Sequence, residues 1–76
     1  MDLLKLNRKL SALGHFKALA TMESGGSVRV ECENGLLDDR VVEVVLNYCK
    51  ANRAFFIIRA KGSSARVYMQ IDFYKD

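Results

Sequence analysis

The strongest secondary-structure signal in this chain is the stretch ARVYMQIDFY at residues 65–74. Aliphatic or phenylalanine side chains at the odd positions alternate with polar or tyrosine side chains at the even positions. A period of two predicts a strand with one buried face. The turn sequence KGSS at residues 61–64 precedes it, and the apolar run FFII at residues 55–58 comes before that turn. The region therefore predicts a β-hairpin.

The run at residues 55–58 has no polar alternation of its own. A continuous apolar run is typical of a strand covered on both faces, or of one that lies under an aromatic surface. We therefore expect the first strand of this hairpin to be a central strand or to lie beneath aromatic side chains.

The segment at residues 37–52 is rich in valine, which favours strands, but its polar positions predict a helix. Polar side chains recur at steps of three, four and three residues, at Arg40, Glu43, Asn47 and Lys50. This spacing places them on one helical face. Acidic residues begin the segment and basic residues end it, as the helix dipole favours.

The N-terminal segment also predicts a helix, because leucines recur at helical spacing at Leu3, Leu6, Leu10 and Leu13. Gly14 follows them, at the position of a glycine that ends a helix. Residues 15–22 favour a strand, although the first helix could instead continue through them, since Ala and Leu prefer helices. Residues 27–33 alternate Val28, Val30 and Cys32 with charged residues and predict the next strand.

Together these elements predict one α+β domain over residues 1–76, with the order α-β-β-α-β-β. A small antiparallel sheet, with four strands expected, carries two helices on one face and leaves the other face open. The N-terminus has no signal-peptide core, and no stretch is long and apolar enough to span a membrane. We therefore expect a soluble cytoplasmic protein that does not enter membranes.

The open face of the sheet is the first candidate binding surface. It is expected to present Lys17, Arg29, Arg59, Arg66, Tyr68 and Tyr74, with Phe55 beside them. Aromatic and basic side chains on a sheet suit single-stranded RNA or DNA, whose bases stack on rings and whose phosphates bind cations. Tyrosines are also common at protein interfaces.

The charge balance of that face argues against nucleic acid. The outward positions from residue 17 onward hold five basic residues, Lys17, Arg29, Arg59, Lys61 and Arg66, against four acidic ones, Glu23, Glu31, Glu33 and Asp72. A nearly neutral surface gains little from counterion release. The basic face of the first helix, formed by Lys5, Arg8 and Lys9, is a second candidate for phosphates or an acidic partner.

Catalytic, metal and cofactor sites are not expected. His15, Cys32 and Cys49 are isolated from one another, whereas structural zinc sites use four ligands in closely spaced pairs. The two cysteines fall on apolar faces and are interpreted as small, reduced core residues. No phosphate-binding loop or nucleophile motif occurs, so we expect a protein that is not an enzyme.

The sequence favours a small binding protein that acts through protein–protein contact. A modulator or inhibitor of a larger complex, of the kind encoded by phages or mobile elements, is the preferred hypothesis. A homodimer could also form through a strand edge. The alternative hypothesis is binding of single-stranded RNA or DNA through the open sheet face.

Overall fold

The computed structural model of the chain describes residues 3–14 and 17–75. Its elements in chain order are α1 (Leu3–Ser11), β1 (Ala18–Met22), β2 (Val28–Cys32), α2 (Asp39–Ala51), β3 (Ala54–Ala60) and β4 (Val67–Phe73). The predicted α+β order α-β-β-α-β-β is confirmed. The segment at residues 15–22 is a strand from Ala18 onward, while His15 and Phe16 lie outside the described residues.

The four strands form one antiparallel sheet with the order β1-β2-β4-β3. Because β4 is antiparallel to both β2 and β3, those two strands run parallel, and α2 is the crossover connection between them. Helix α1 contacts β1, helix α2 contacts β3, and the two helices contact each other. One face of the sheet is therefore covered by both helices, as predicted.

Of the two alternatives for residues 55–58, a central strand is wrong, because β3 lies at the edge of the sheet. Phe55, Ile57 and Ile58 are 39%, 41% and 56% exposed, whereas Met69 and Ile71 of the central strand β4 are fully buried. The apolar run combines one partly covered face, where Ala54 and Phe56 pack on the core, with the exposed apolar side chains Phe55 and Ile57 on the other face.

The core follows the alternation that the sequence predicts. Val28, Val30 and Cys32 of β2 point into it together with Met69 and Ile71 of β4. Helix α1 contributes its leucine stripe, of which Leu6 and Leu10 are 1% exposed and Leu3 and Leu13 are partly buried. Among residues 3–14 and 17–75, no polar or charged residue is buried.

Local chemistry sets one terminus of each helix, the C-terminal end of α1 and the N-terminal start of α2. After α1, Gly14 adopts a φ of +79° and donates its N–H to the Ser11 carbonyl at 3.0 Å, as expected of a C-terminal glycine. At the start of α2, the Asp38 carboxylate accepts the Arg40 backbone N–H at 2.8 Å. That bond is the largest reason why the pKa of Asp38 lies below its ordinary value.

Asn7 connects α1 to the outer edge of the sheet. Its side-chain amide donates to the Ala20 carbonyl at 2.9 Å and its carbonyl oxygen accepts the Ala20 N–H at 2.8 Å. Strand β1 is an edge strand, and Ala20 directs its backbone groups away from β2. Asn7 therefore makes the hydrogen bonds to Ala20 that a neighbouring strand would make, which disfavours pairing of this edge with another chain.

We expect Asn7→Leu to lower the free energy of unfolding by about 1–3 kcal/mol, because two hydrogen bonds of about 0.5–1.5 kcal/mol each are lost. Urea denaturation measures the loss, and amide hydrogen exchange at Ala20 should accelerate. The matched control is Arg8→Leu, at an exposed position of the same helix, which should change stability little. Equal stabilities of the two variants would contradict a role for Asn7 at this edge.

Candidate binding surface

The face of the sheet that carries no helix is here called the open face. Strand pairing places on it the alternate side chains of each strand, and the cross-sheet row Thr21–Arg29–Gln70–Ile57 runs through its centre. The remaining strand positions on this face are Leu19, Glu31, Phe55, Arg59, Tyr68 and Asp72. Of the seven basic and aromatic residues predicted as a binding surface on the open face, four lie within strands: Arg29, Phe55, Arg59 and Tyr68.

The other three predicted residues lie at strand ends. Lys17 and Arg66 immediately precede β1 and β4, and Tyr74 immediately follows β4. Lys17 has a φ of +46°, a left-handed conformation that a strand residue does not adopt. Tyr74 remains in register with the hairpin, since its N–H donates to the Arg53 carbonyl at 3.0 Å.

Arg29 is the side chain around which the centre of the open face is organised. Its Nε lies 2.6 Å from the Glu23 carboxylate, and its guanidinium carbon lies 4.0 Å from the centre of the Tyr68 ring. The structure therefore brings the predicted Arg29 and Tyr68 together as a cation–π pair. The same contact occupies the Tyr68 ring and leaves Arg29 with an internal counterion.

Two more basic side chains of this region are paired with acidic ones. Lys17 Nζ lies 3.5 Å from a Glu33 carboxylate oxygen, and Lys61 Nζ lies 3.1 Å from Glu31. These pairs are largely exposed and stabilise the fold little. With the Arg29–Glu23 pair they place an acidic neighbour beside three of the basic residues counted for the open face, Lys17, Arg29 and Lys61.

Asp72 is held within a polar cluster at one end of the open face. Its carboxylate accepts hydrogen bonds from the Ser27 hydroxyl and from the Gln70 amide, the latter at 3.0 Å. The first contact links the turn before β2 to β4, the second lies within β4, and together they satisfy much of the carboxylate's hydrogen-bonding capacity.

Arg66 has a structural position that the sequence prediction did not anticipate. Its guanidinium donates to the Glu33 carbonyl at 2.7 Å, and its aliphatic stem packs against Gly35. The Val67 N–H donates to the Gly35 carbonyl at 2.9 Å in the same region. Arg66 thus joins the loop after β2 to the β3–β4 hairpin, and its guanidinium is engaged there.

The apolar strip, defined as Phe55, Ile57 and Tyr74, occupies the side of the open face next to the free edge of β3. The Phe55 and Tyr74 rings are 5.1 Å apart and tilted by 48°. The three side chains are 39%, 41% and 60% exposed. A cluster of three large apolar or aromatic side chains at the surface is a common feature of interaction sites.

Arg59 lies beside the apolar strip, opposite Tyr68 in the β3–β4 ladder. It is exposed, and within the described ranges no acidic side chain forms an ion pair with it. The open face therefore has an internally paired polar part over β2 and β4 and an apolar part over β3 that carries one available cation, Arg59.

The basic face of α1 borders a groove of about 290 Å³ between the two helices. Lys5 and Lys9 line it together with Asn47, Tyr48 and Asn52 of the α2 region, while Arg8 does not. Asn52 uses its amide to donate to the Tyr48 carbonyl at 2.8 Å. The three predicted basic residues Lys5, Arg8 and Lys9 are thus all exposed on α1, but only Lys5 and Lys9 line the groove.

The two cysteines are buried free thiols in the core. Burial raises the pKa of both, and for Cys32 the nearby Asp38 charge raises it further. Protonated, buried thiols are poor nucleophiles. Across residues 3–14 and 17–75, no group of three metal-ligating side chains occurs, and no helix is long and apolar enough to cross a membrane.

Two features of the structure, the apolar strip and the contacts of Asn7, were not predicted from the sequence. The apolar strip requires Tyr74 to meet Phe55 across a hairpin, and alternation alone does not reveal that contact. The role of Asn7 did leave a signal, because it lies four residues after Leu3 and three before Leu10. A polar residue bordering an apolar stripe generally needs a hydrogen-bonding partner.

Comparison of the chain with protein-family models, curated proteins and solved structures finds no match. The contacts and exposure of the open face are therefore the basis for a functional assignment.

Proposed function

We propose that this chain is a small binding protein that acts without catalysis, by docking a larger protein on the apolar strip of its open face. The observation that carries the proposal is the exposure of Phe55, Ile57 and Tyr74 side by side on a sheet whose charged positions are mostly paired internally. Modulation or inhibition of a larger complex is the activity such a surface supports.

The composition of the strip fits a protein partner. Aromatic residues are enriched at protein interfaces, and they often supply a large share of the binding energy when a partner covers them. The adjacent Arg59 supplies a cation at the rim, which favours a partner with an acidic side chain beside its own apolar contact residues.

The same contacts weaken the case for single-stranded RNA or DNA. Arg29, Lys17 and Lys61 each lie beside a carboxylate, so phosphates would have to displace an existing partner. The Tyr68 ring is covered by the Arg29 guanidinium, which leaves less of it for base stacking. Arg59 alone provides little of the counterion release on which nonspecific affinity depends.

Affinity capture followed by reconstitution tests the proposal. The tagged wild-type chain and the double variant Phe55→Ser/Tyr74→Ser are incubated with extract of the source cells. A protein retained only by the wild type is then purified and titrated calorimetrically against both. We expect the double variant to bind about 30-fold more weakly or worse, because losing a central interface aromatic costs about 2 kcal/mol or more.

The matched control is Leu4→Ser, which removes an apolar side chain that is 62% exposed on α1, away from the open face. It should bind the partner like the wild type. Equal binding by the wild type and the double variant would contradict the proposal. So would salt-sensitive binding of a single-stranded oligonucleotide that is lost in Arg66→Glu or Tyr68→Ala, since it would favour the nucleic-acid alternative.

A further inference from the structure

The free edge of β3 presents backbone groups that no other strand uses among residues 3–14 and 17–75. Arg53 and Tyr74 are joined by a backbone hydrogen bond at one end of the β3–β4 ladder, and Lys61 and Arg66 by another at the other end. Hydrogen-bonded pairs alternate along an antiparallel ladder, so Phe55, Ile57 and Arg59 bond to β4. The outward N–H and C=O groups are those of Ala54, Phe56, Ile58 and Ala60.

The two edges of the sheet differ in how they are protected. At β1, the Asn7 amide occupies both backbone groups of Ala20. At β3, the seven-residue strand AFFIIRA contains no proline, no lysine and no charge on the helix-covered face. Long, apolar, unprotected edges are the ones that pair with another strand.

We propose that β3 pairs antiparallel with β3 of a second copy of this chain, with Ile57 on the two-fold axis. The two four-stranded sheets then form one continuous sheet across the axis. The outward groups of Phe56 exchange hydrogen bonds with those of Ile58 in the second copy, and those of Ala54 do so with Ala60.

Two properties of the strand select this register. Ile57 is the midpoint of Ala54–Ala60, so only this register pairs every residue of β3. It also sets each Arg59 opposite Phe55 of the second copy, where a cation–π contact can form on the open face. Shifting the pairing by two residues in total would bring Arg59 level with Arg53, just before the strand, in one direction and opposite Ile57 in the other, and either shift loses the Arg59–Phe55 contact and leaves residues of β3 unpaired.

The helix-covered face supplies a further reason. Ile58 lies on that face, because it pairs with the buried Met69. It is nevertheless 56% exposed, so neither helix covers it. In the proposed dimer, Ile58 faces Phe56 of the second copy, and the apolar surface left uncovered in the monomer is buried at the axis.

The dimer goes beyond the proposed function and does not depend on it. Pairing uses the backbone edge of β3 together with the side chains of Phe55, Ile57 and Arg59 near the axis, whereas docking of another protein uses the exposed surface of the whole apolar strip, Tyr74 included. The two surfaces share Phe55 and Ile57, and dimerisation brings the apolar strips of both copies side by side across the axis.

Sedimentation velocity of the full chain in the micromolar range tests the dimer with a charge-reversal pair. The wild type should sediment as a dimer. Ile57→Lys and Ile57→Glu should each dimerise about tenfold more weakly or worse, because like charges then face each other on the axis. An equimolar mixture of the two variants should recover the dimer, since Lys then faces Glu.

The control for introduced charge is Leu19→Lys, which is equally on the open face but on the opposite edge strand and is 55% exposed. It should remain dimeric. Ile58→Pro tests backbone pairing separately: it removes an outward N–H while leaving the ladder to β4 intact, and should weaken the dimer more than Ile58→Thr does. Circular dichroism confirms that each variant is folded.

A monomeric wild type would overturn the dimer, as would dimers of undiminished strength in both Ile57 variants. A mixture that stays monomeric would overturn the register with Ile57 on the axis. A monomeric wild type that still retains another protein through the apolar strip would leave the proposed function standing. A dimer that retains no other protein would support the pairing of β3 and contradict the proposed function.

Discussion

Replacing Leu6 with alanine should lower the free energy of unfolding by about 2–5 kcal/mol, the range for a large-to-small substitution in a core. Leu6 is 1% exposed and lies in the cluster that α1 forms with the sheet and with α2. A domain of this size buries a modest share of its surface and has a small margin of stability. The variant is therefore expected to be close to unfolding at room temperature, as measured by urea denaturation followed by circular dichroism.

Leu4→Ala is the matched control for Leu6→Ala. It makes the same chemical change two residues away on the same helix, but Leu4 is 62% exposed. Its effect should stay within about 0.5 kcal/mol, as for most surface substitutions. Similar losses at the two positions would mean that α1 does not pack on the sheet with the leucine stripe inward.

Gly35→Ala should lower the free energy of unfolding by about 2–4 kcal/mol, from a left-handed backbone cost of about 1–2 kcal/mol and a steric cost of similar size. Gly35 has a φ of +76°. A Cβ at this position would lie 2.7 Å from Cγ and 2.8 Å from Nε of Arg66, which is closer than side chains approach one another. Thermal and urea unfolding measure the loss.

Two further variants separate the backbone and steric contributions. Gly62 also has a positive φ, of +65°, but a Cβ there would meet no atom within 4 Å. Gly62→Ala should therefore show only the backbone cost of about 1–2 kcal/mol. In an Arg66→Ala background, Gly35→Ala should lose most of its steric cost, because only the contact with the Cβ of residue 66 at 3.0 Å remains. If Gly35→Ala lowers the free energy of unfolding no more than Gly62→Ala does, the contact between Arg66 and the loop after β2 is not a tight one.

The candidate surface was only partly predictable from the sequence. Alternation along residues 65–74 correctly assigned Tyr68 to the open face. The pairing of Arg29 with Glu23 and Tyr68 could not be predicted, because it depends on which strands are neighbours. Arg66 was expected to be available for binding, but it is engaged by the Glu33 carbonyl, a residue 33 positions away in the chain.

Local periodicity by itself determined four of the six elements, α1, α2, β2 and β4. The leucine spacing of α1, the polar spacing of α2 and the alternation of β2 and β4 each state which side chains one segment buries, and the structure agrees. The spacing of buried side chains is local information, because each turn of a helix and each pair of strand residues places one apolar side chain on the buried face.

Only the tertiary structure decided the order of the strands, and the order decides which surfaces remain for function. An apolar run such as residues 55–58 satisfies a central strand and a half-covered edge strand equally well, because periodicity does not record what lies beside a strand. The placement of β3 at the edge follows from its single partner, β4, and from the crossover through α2. That placement leaves the apolar strip and the backbone of β3 open, while Asn7 covers the opposite edge.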